Sequence, residues 1–487
     1  MEYRFGMAMY IILFFLAWFL HLLYKGFTSP LRRIPGPRLS IFTRLPLKLA
    51  TISGNQLYHI HDLHQKYGPI VRISPTEVAI ASLPDVKEIH RVGSGFLKTE
   101  WYEQFTQGRE GVFNMRDVKK HAQRRKLFAR PFSKTVLRGT WEPAVRDKVQ
   151  LMISQIQKDL TTLGVCDIFK WSTFLATDVS AHLMFGESFE MLQRGEKNGY
   201  IRILESVIQG SGILSELPFL GYIVPCIPLQ SVREMFGNGE ALLRYGQSLL
   251  NNSRSNSESS RNIFSGLVHA SEKGGASFND MDVAIEAGNL IVAGSDTTAV
   301  TLTYLIWAIL SRPKLHTQLE NELATLRENW EEGDLESLSL LNATITETLR
   351  LYGAAPGALP RSVPEGGVTF SGYYIPGGVT VSTQSWTIHR DPVLFPNPEK
   401  FDPSRWLPGD NQASEQARLA MSPFGSGSRT CLGIHLSWME LRLATAEFFL
   451  QCGNVKLAPS VTEESMKPKH FFLIAPSAHK CEITLAT

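Results

Sequence analysis

Read from the amino terminus, the hydrophobic pattern begins with one nearly unbroken block. Met7–Tyr24, MAMYIILFFLAWFLHLLY, is apolar apart from His21. Its length is near the lower limit for a single membrane-spanning helix. Lys25, Arg32, Arg33 and Arg38 follow the block, and only Arg4, beside Glu2, precedes it. That excess of positive charge predicts that the chain beyond the span faces the cytosol. A cleaved signal peptide is the rival reading, but the run is long and no small-residue cleavage site follows it. Pro35 and Pro37 in RRIPGPRLS (Arg32–Ser40) forbid a continuing helix and predict a short rigid hinge. The expected layout is a lumenal segment over 1–6, a transmembrane helix over 7–24, a hinge over 25–40 and one body over 41–487.

Beyond the hinge, Ile70–Ser74 and Glu77–Ala81 alternate as two short strands around a Ser-Pro turn. Most of the chain from there to the middle 300s has helical periodicity. Asn251–Asn262, NNSRSNSESSRN, interrupts it as a polar surface loop. A long helix is expected from about Asp282 to Ser311, ended by Pro313. A second runs to about Glu328, and a third spans about Leu335 to Leu351. Gly367–Trp386 alternates around Pro-Gly-Gly and reads as β, as does the tail His470–Thr487. Ile434–Leu450 returns to helical periodicity. The fold class is mainly α with a small β portion, without repeats or a visible domain break.

Composition changes little in this picture. The chain has 487 residues, 43% hydrophobic and 20% charged, which is ordinary for a globular protein. A net charge of +3, without a dense basic run interleaved with aromatics, argues against a nucleic-acid partner. The five cysteines, Cys166, Cys226, Cys431, Cys452 and Cys481, are scattered and form no CxxC pair. Neither a zinc ribbon nor a disulfide framework is indicated, and reduced thiols in a cytosolic domain fit best. Asn251-Asn252-Ser253 and Asn342-Ala343-Thr344 match the glycosylation pattern, but with this topology they stay unmodified.

One of those thiols stands apart. FGSGSRTCLG, Phe424–Gly433, places Cys431 in a Gly/Ser turn directly before the helix starting at Ile434. Glycine opens backbone conformations denied to other residues, and a helix N-terminus favours a thiolate. Arg429 could hold an anion beside it. A buried structural cysteine and a catalytic nucleophile are both alternatives, although His435 shows no sign of being placed to activate the thiol.

Phe424, Gly427, Arg429, Cys431 and Gly433 fill every fixed place of FxxGxRxCxG. In this the chain resembles the cytochrome P-450 monooxygenases. The resemblance covers about Pro35 to the C-terminus. It implies the P-450 fold and haem b (iron protoporphyrin IX), with the Cys431 thiolate as axial iron ligand. AGSDTT, Ala293–Thr298, matches the family's oxygen-activation motif. Gly294 would loosen the helix above the iron, and Asp296 and Thr297 would deliver protons. Asn289, Ala293 and Thr297 share one helix face by their i, i+4 spacing. ETLR (Glu347–Arg350) matches the family's buried ExxR pair, and Arg405 in FDPSRW offers its third member. These three carry a structural role. Arg125 fills the arginine place of the family's WxxxR, where His121 replaces the tryptophan. With Arg429 and Arg361 these are the candidates for the haem propionates.

Lys119, Lys120, Arg124, Lys126 and Arg130 crowd one helix. As a bare run they read as a solvated face. The resemblance implies a surface for an acidic partner, an NADPH–cytochrome P-450 reductase, with cytochrome b5 as an optional second donor. It further implies a single-pass protein of the endoplasmic reticulum membrane that oxidises a lipophilic small molecule by hydroxylation or epoxidation. The motifs are most similar to those of filamentous-fungal members that tailor polyketides, terpenoids or alkaloids. The alternatives are a desaturase or ring-forming oxidase, an oxygen-independent rearrangement enzyme and a haem carrier that does not turn over. The pocket walls are expected from Trp101–Asn114, Asn289–Thr297 and Ala354–Leu359.

Overall fold

The first helix, α1 (Glu2–Thr28), overruns the apolar block at both ends. Phe14, Phe15, Trp18, Phe19 and Leu20 are all exposed along it. The computed structural model describes residues 2–106, 108–199, 201–203, 213–217, 219–224, 227, 262–264 and 280–486. The sequon at Asn251, nearly all of the serine-rich loop and Cys226 lie outside the described residues. Those described form two compact units, Met1–Thr99 with Gly357–Ile388, and Glu100–Pro356 with His389–Thr487. The single body expected over 41–487 is therefore divided. The chain leaves the first unit and re-enters it through an ordinary alternating segment, so the crossing leaves no mark in composition.

In the first unit α1 is followed by two 3-10 turns, Pro30–Arg33 and Arg38–Ile41, then by α2 (Leu45–Ile52) and α3 (Gln56–Tyr67). β1 (Ile70–Ser74) and β2 (Glu77–Ile80) pair antiparallel, Ile70 opposite Ile80. β3 (Leu97–Lys98), β4 (Arg361–Ser362), β5 (Val368–Phe370), β6 (Tyr373–Ile375) and β7 (Thr380–Thr383) complete the unit's strands. The main sheet has the order β1-β2-β7-β4-β3, with β2 and β7 parallel. The β5–β6 hairpin stands separately.

The segment expected to be a hinge is held by one side chain of β1. Arg72, 2% exposed, donates from Nη1 to the carbonyls of Leu31 (3.1 Å) and Ile34 (2.7 Å). Its Nη2 donates to Pro37 O (3.0 Å) and its Nε to Ser40 Oγ (3.2 Å). Its backbone N–H takes the Pro35 carbonyl (2.8 Å). A chain that cannot form a helix because of its prolines has orphan carbonyls, and a buried guanidinium has five donors to satisfy them. Phe27 and Phe42 pack edge-to-face across the same joint, 5.4 Å between centroids.

The second unit is a helical bundle. α4 (Trp101–Phe105) leads to α5 (Val118–Ala129), whose N-cap Asp117 accepts from the N–H groups of Lys119 and Lys120. α6 (Glu142–Thr162) and α7 (Ile168–Phe185) follow. α8 (Asp280–Leu310), α9 (Ser339–Tyr352) and α10 (Ile434–Gln451) match three of the expected helices. Contacts with α7, α9 and α10 place α8 at the centre. Among the described residues one helix, Met281–Leu310, is long and apolar enough to cross a membrane, yet most of it is buried in the fold. It is a core helix. The tail forms a hairpin, Pro468–His470 with Ile474–Pro476, and a strand, Glu482–Leu485, that joins Cys166–Asp167 and Val455–Leu457 in a second sheet.

Gly294 explains how closely α7 and α8 approach. α8 is continuous through it, and a Cβ at this position would lie 2.3 Å from Ser180 Oγ on α7. The glycine thus admits a neighbouring helix, whereas the sequence reading has it loosening its own. Gly294→Ala is expected to destabilise the protein by about 1–3 kcal/mol through overpacking. Adding Ser180→Ala, which leaves Ser180 Cβ at 3.4 Å as the nearest atom, should recover most of the loss. Urea unfolding of the two single variants and the double variant reads this directly, and additive losses would contradict the assignment.

Candidate functional site

The ten-residue turn before α10 is shaped by its glycines. Gly425 and Gly427 have φ of 70° and 65°, the left-handed region in which a side chain is strained. The chain doubles back so that Cys431 N–H donates to Phe424 O at 2.8 Å. Gly433 is the N-cap of α10, and its N–H hydrogen-bonds the cysteine sulfur. A Cβ on Gly433 would meet only that sulfur, at 3.9 Å, so the space beside the thiol is open. The surrounding protein pushes the thiol above its usual range, while the Gly433 N–H and the Arg125 cation favour the thiolate. His435 is exposed.

The turn is held from behind by buried charge. Glu347 and Arg350 on α9 have fully buried side chains. Arg350 Nε and Nη2 donate to Glu347 Oε2 (2.9 Å) and Oε1 (2.8 Å). Glu347 also accepts from Asp402 N–H and Trp406 Nε1, both at 2.9 Å. Arg405 Nε lies 3.4 Å from Glu347 Oε1. The remaining Arg350 donors reach the carbonyls of His389 (2.8 Å), Pro398 (2.7 Å) and Lys400 (3.2 Å).

His389, which no motif singled out, connects this cluster to the turn. Its Nε2 accepts from Ser422 N–H (3.0 Å), so its Nδ1 carries the proton donated to Arg350 O (3.1 Å). Burial holds its pKa down to about 3, and the ring stays neutral. Ser422 O in turn accepts from Gly425 N–H at 3.0 Å, inside the cysteine turn.

Above, α8 presents Asn289, Ala293 and Thr297 on one face by their spacing. Ala293 is exposed and Asp296 and Thr297 are half-buried, although their helix is central. Thr297 Oγ1 donates to Ala293 O at 2.6 Å. On α5, His121 is buried and Arg125 half-buried. Arg429 Nη1 donates to Met115 O at 2.8 Å. Cys431, Phe424, Gly427, Gly433, Arg429, Arg125, His121, Ala293, Asp296 and Thr297 all belong to the second unit, and Phe424, Gly433 and Arg125 lie next to Cys431. Arg361 belongs to the first unit. It is buried on β4 and donates to Pro360 O at 2.9 Å. Arg124 departs from the solvated basic face expected of it. It turns inward to Asp282 (3.1 Å) and Glu286 (3.2 Å), while Lys119, Lys120, Lys126 and Arg130 remain exposed.

Two buried acids were also missed. Glu286 is described below. Glu440 on α10 is 1% exposed, and neither carboxyl oxygen has a hydrogen-bond partner. Burial raises its pKa well above the carboxylate range, so it is neutral. In sequence it hides as one acid within an amphipathic run.

No group of three or more His, Cys, Asp or Glu side chains among the described residues could hold a metal ion. A lone thiol with an N–H to its sulfur, open space beside it and a cation nearby suits a metal whose other ligands come from a macrocycle. Such a turn fits haem-thiolate ligation. A family model described as Cytochrome P450 matches residues 34–483, and the chain belongs to that family. It is 41% identical over 478 residues to cytochrome P450 monooxygenase aflV of Aspergillus parasiticus, covering 95% of this chain and 93% of that protein. It is 40% identical over 477 residues to cytochrome P450 monooxygenase stcB of Emericella nidulans (94% and 89%). Methylphloroacetophenone oxidase of Cladonia uncialis is 31% identical over 390 residues (77% and 85%). The chain is thus a cytochrome P450 monooxygenase of the mainly helical P450 fold. Its family uses haem held by a cysteine thiolate, a redox partner and lipophilic substrates.

Glu347 and Glu440 should respond oppositely to the same change. Glu347→Gln leaves Arg350 uncompensated and should cost about 3–5 kcal/mol. Glu440→Gln should be neutral or stabilising at pH 7. The folded state keeps the Glu440 proton that the unfolded chain has already lost. Wild type therefore loses up to about 1.4 kcal/mol for each pH unit above the ordinary glutamate value, until Glu440 itself ionises. Urea titrations from pH 5 to 8 should show the advantage of Glu440→Gln growing with pH, and a flat difference would contradict a neutral Glu440.

Proposed function

We propose that Cys431 is the axial ligand of haem b and that the protein oxidises a lipophilic secondary-metabolite intermediate by hydroxylation or epoxidation. The observation that carries this reading is the Cys431 turn, with its sulfur hydrogen-bonded by Gly433 and backed by the His389–Arg350–Glu347 chain. When bound, haem supplies activation of dioxygen by two electrons, with one oxygen atom passing to the substrate and the other leaving as water. The Gly433 N–H keeps charge on the sulfur. Arg125, Arg429 and His121 would hold the propionates. Thr297 keeps a hydroxyl on the Ala293 face of α8, and Asp296 beside it relays protons inward to that hydroxyl. Gly294 maintains the α7 contact that fixes this face.

Electrons come from an NADPH–cytochrome P450 reductase, with cytochrome b5 as an optional donor. Lys119, Lys120, Lys126 and Arg130 provide its docking charge. The exposed aromatic side chains of α1 suit a lipid environment, and the cations after it suit a single-pass endoplasmic reticulum anchor with a cytosolic body. Similarity to fungal P450 monooxygenases and to a protein named methylphloroacetophenone oxidase supports a secondary-metabolite intermediate as substrate, a polyketide, terpenoid or alkaloid.

Reduced protein with carbon monoxide should show the red-shifted Soret band of thiolate ligation, and Cys431→Ala should abolish it. Thr297→Ala should keep the band but divert most NADPH consumption to hydrogen peroxide. Full coupling in that variant would remove Thr297 from proton delivery. A normal band with no NADPH oxidation in the presence of reductase, across a broad substrate panel, would make the protein a haem carrier.

A further inference from the structure

Between α4 and α5, residues Gly108–Arg116 form a strap braced largely by its own polar groups. Asn114 accepts from Gly111 N–H through Oδ1 (2.6 Å) and donates from Nδ2 to Arg109 O (2.9 Å) and Thr106 Oγ1 (2.5 Å). Arg116 ties it to Glu100 and Glu103 at the α4 end (3.8 and 3.5 Å), and among its ties to distant chain two matter here. One is Arg429 to the Met115 carbonyl. The other is Glu286 on α8, whose Oε1 accepts from Val112 N–H at 2.8 Å and from Arg124 Nη1 at 3.2 Å. The Glu286 side chain is fully buried, and its Oε2 has no partner. A Cβ on Gly111 would come within 3.1 Å of that Oε2 and 2.4 Å of Asn289 Nδ2. The strap therefore lies against α8, where a side chain at 111 would have to displace the Asn289 amide. Phe113 adds an apolar contact, packing against Tyr102, Phe105 and Phe472 with centroids 5.5–6.3 Å apart.

Glu286 shares a helix face with Asn289 and Ala293 by its i, i+3, i+7 spacing, about 10 Å along the axis from Ala293. We infer that Glu286 is a positioning residue that pegs the Gly108–Arg116 strap to α8 and so sets the width of the space over Ala293 and Thr297. This rests on the reading of that face as the substrate side. Burial raises Glu286 to about 7 against the pull of Val112 N–H and Arg124. The neutral and ionised carboxyls both retain an acceptor oxygen for Val112, so the tie holds in either state. Asp282 pairs with the same Arg124 at 3.1 Å, and its negative charge also raises Glu286. The peg selects by size: a wide ligand is retained by a fixed strap, and a small one is indifferent to it.

The test uses hydrogen–deuterium exchange of the peptide covering 108–116, together with two haem ligands of different size, the bulky azole clotrimazole and free imidazole. Glu286→Ala is expected to speed amide exchange in that peptide at least about tenfold. Clotrimazole should dissociate about tenfold faster, with imidazole affinity within about twofold of wild type. Glu286→Gln, which keeps an acceptor for Val112 N–H, should restore near-normal exchange. Gly111→Ala should reproduce Glu286→Ala from the strap side and serves alone if that variant does not fold. Unchanged exchange in both variants would overturn the proposal, as would equal effects on clotrimazole and imidazole. If Asp282→Asn matched Glu286→Ala, the tie would belong to Arg124 and not to Glu286. The exchange measurement needs no haem. Failure of Cys431 as ligand, read by the Soret band, is thus distinguishable from failure of the peg.

Discussion

The Glu347–Arg350 ion pair is the constraint on which the rest of the site depends. Burying two opposite charges costs several kcal/mol of desolvation, which their attraction repays only when every other donor and acceptor is also used. Here the surplus valences are met by chain far away in sequence. Glu347 takes N–H groups from Asp402 and Trp406, and Arg350 gives to the carbonyls of His389, Pro398 and Lys400. An irregular stretch of backbone is thereby given one conformation. The pair adds specificity more than stability, since no apolar substitute could gather those backbone groups.

His389 converts that constraint into geometry at the thiol. Its ring has a defined tautomer because one nitrogen accepts from Ser422 and the other donates to Arg350. Neutrality matters, since a second cation beside the Arg350 guanidinium would work against the buried pair. The same economy governs α8 and α10. Glu286 is partly repaid by Arg124, while Glu440 is left unpaid and remains protonated. The helices around the site thus carry acids whose ionisation is shifted upward by burial, with Glu286 brought to about 7 and Glu440 held neutral.

Features confined to short windows were legible in the sequence. The cysteine turn occupies ten residues, and its glycines have the backbone angles their spacing implied. β1, β2, α8 and α10 lay within a residue or two of expectation because alternation and 3.6-residue period are local properties. What could not be read depends on distant partners. Arg124 resembled its exposed neighbours Lys119 and Lys120, and only the position of Asp282 and Glu286 turns it inward. His389 has no pattern, since both its partners are backbone groups. Gly294 was explained by the helix it sits on, while Ser180, more than a hundred residues earlier, is what it accommodates. The division into two units was invisible because the returning segment 357–388 alternates like any other strand region.

Arg72 has a practical side. A guanidinium that gives its donors to the carbonyls of Leu31, Ile34 and Pro37, with the same residue's backbone N–H on Pro35 O, makes those residues part of the folded body, even though they follow directly on the apolar helix. Trimming the apolar helix from the chain is therefore not a free choice of start codon. A cut before Leu31 removes the greasy helix and leaves the collar around Arg72 closed. A cut after Pro37 strands a buried cation inside the sheet.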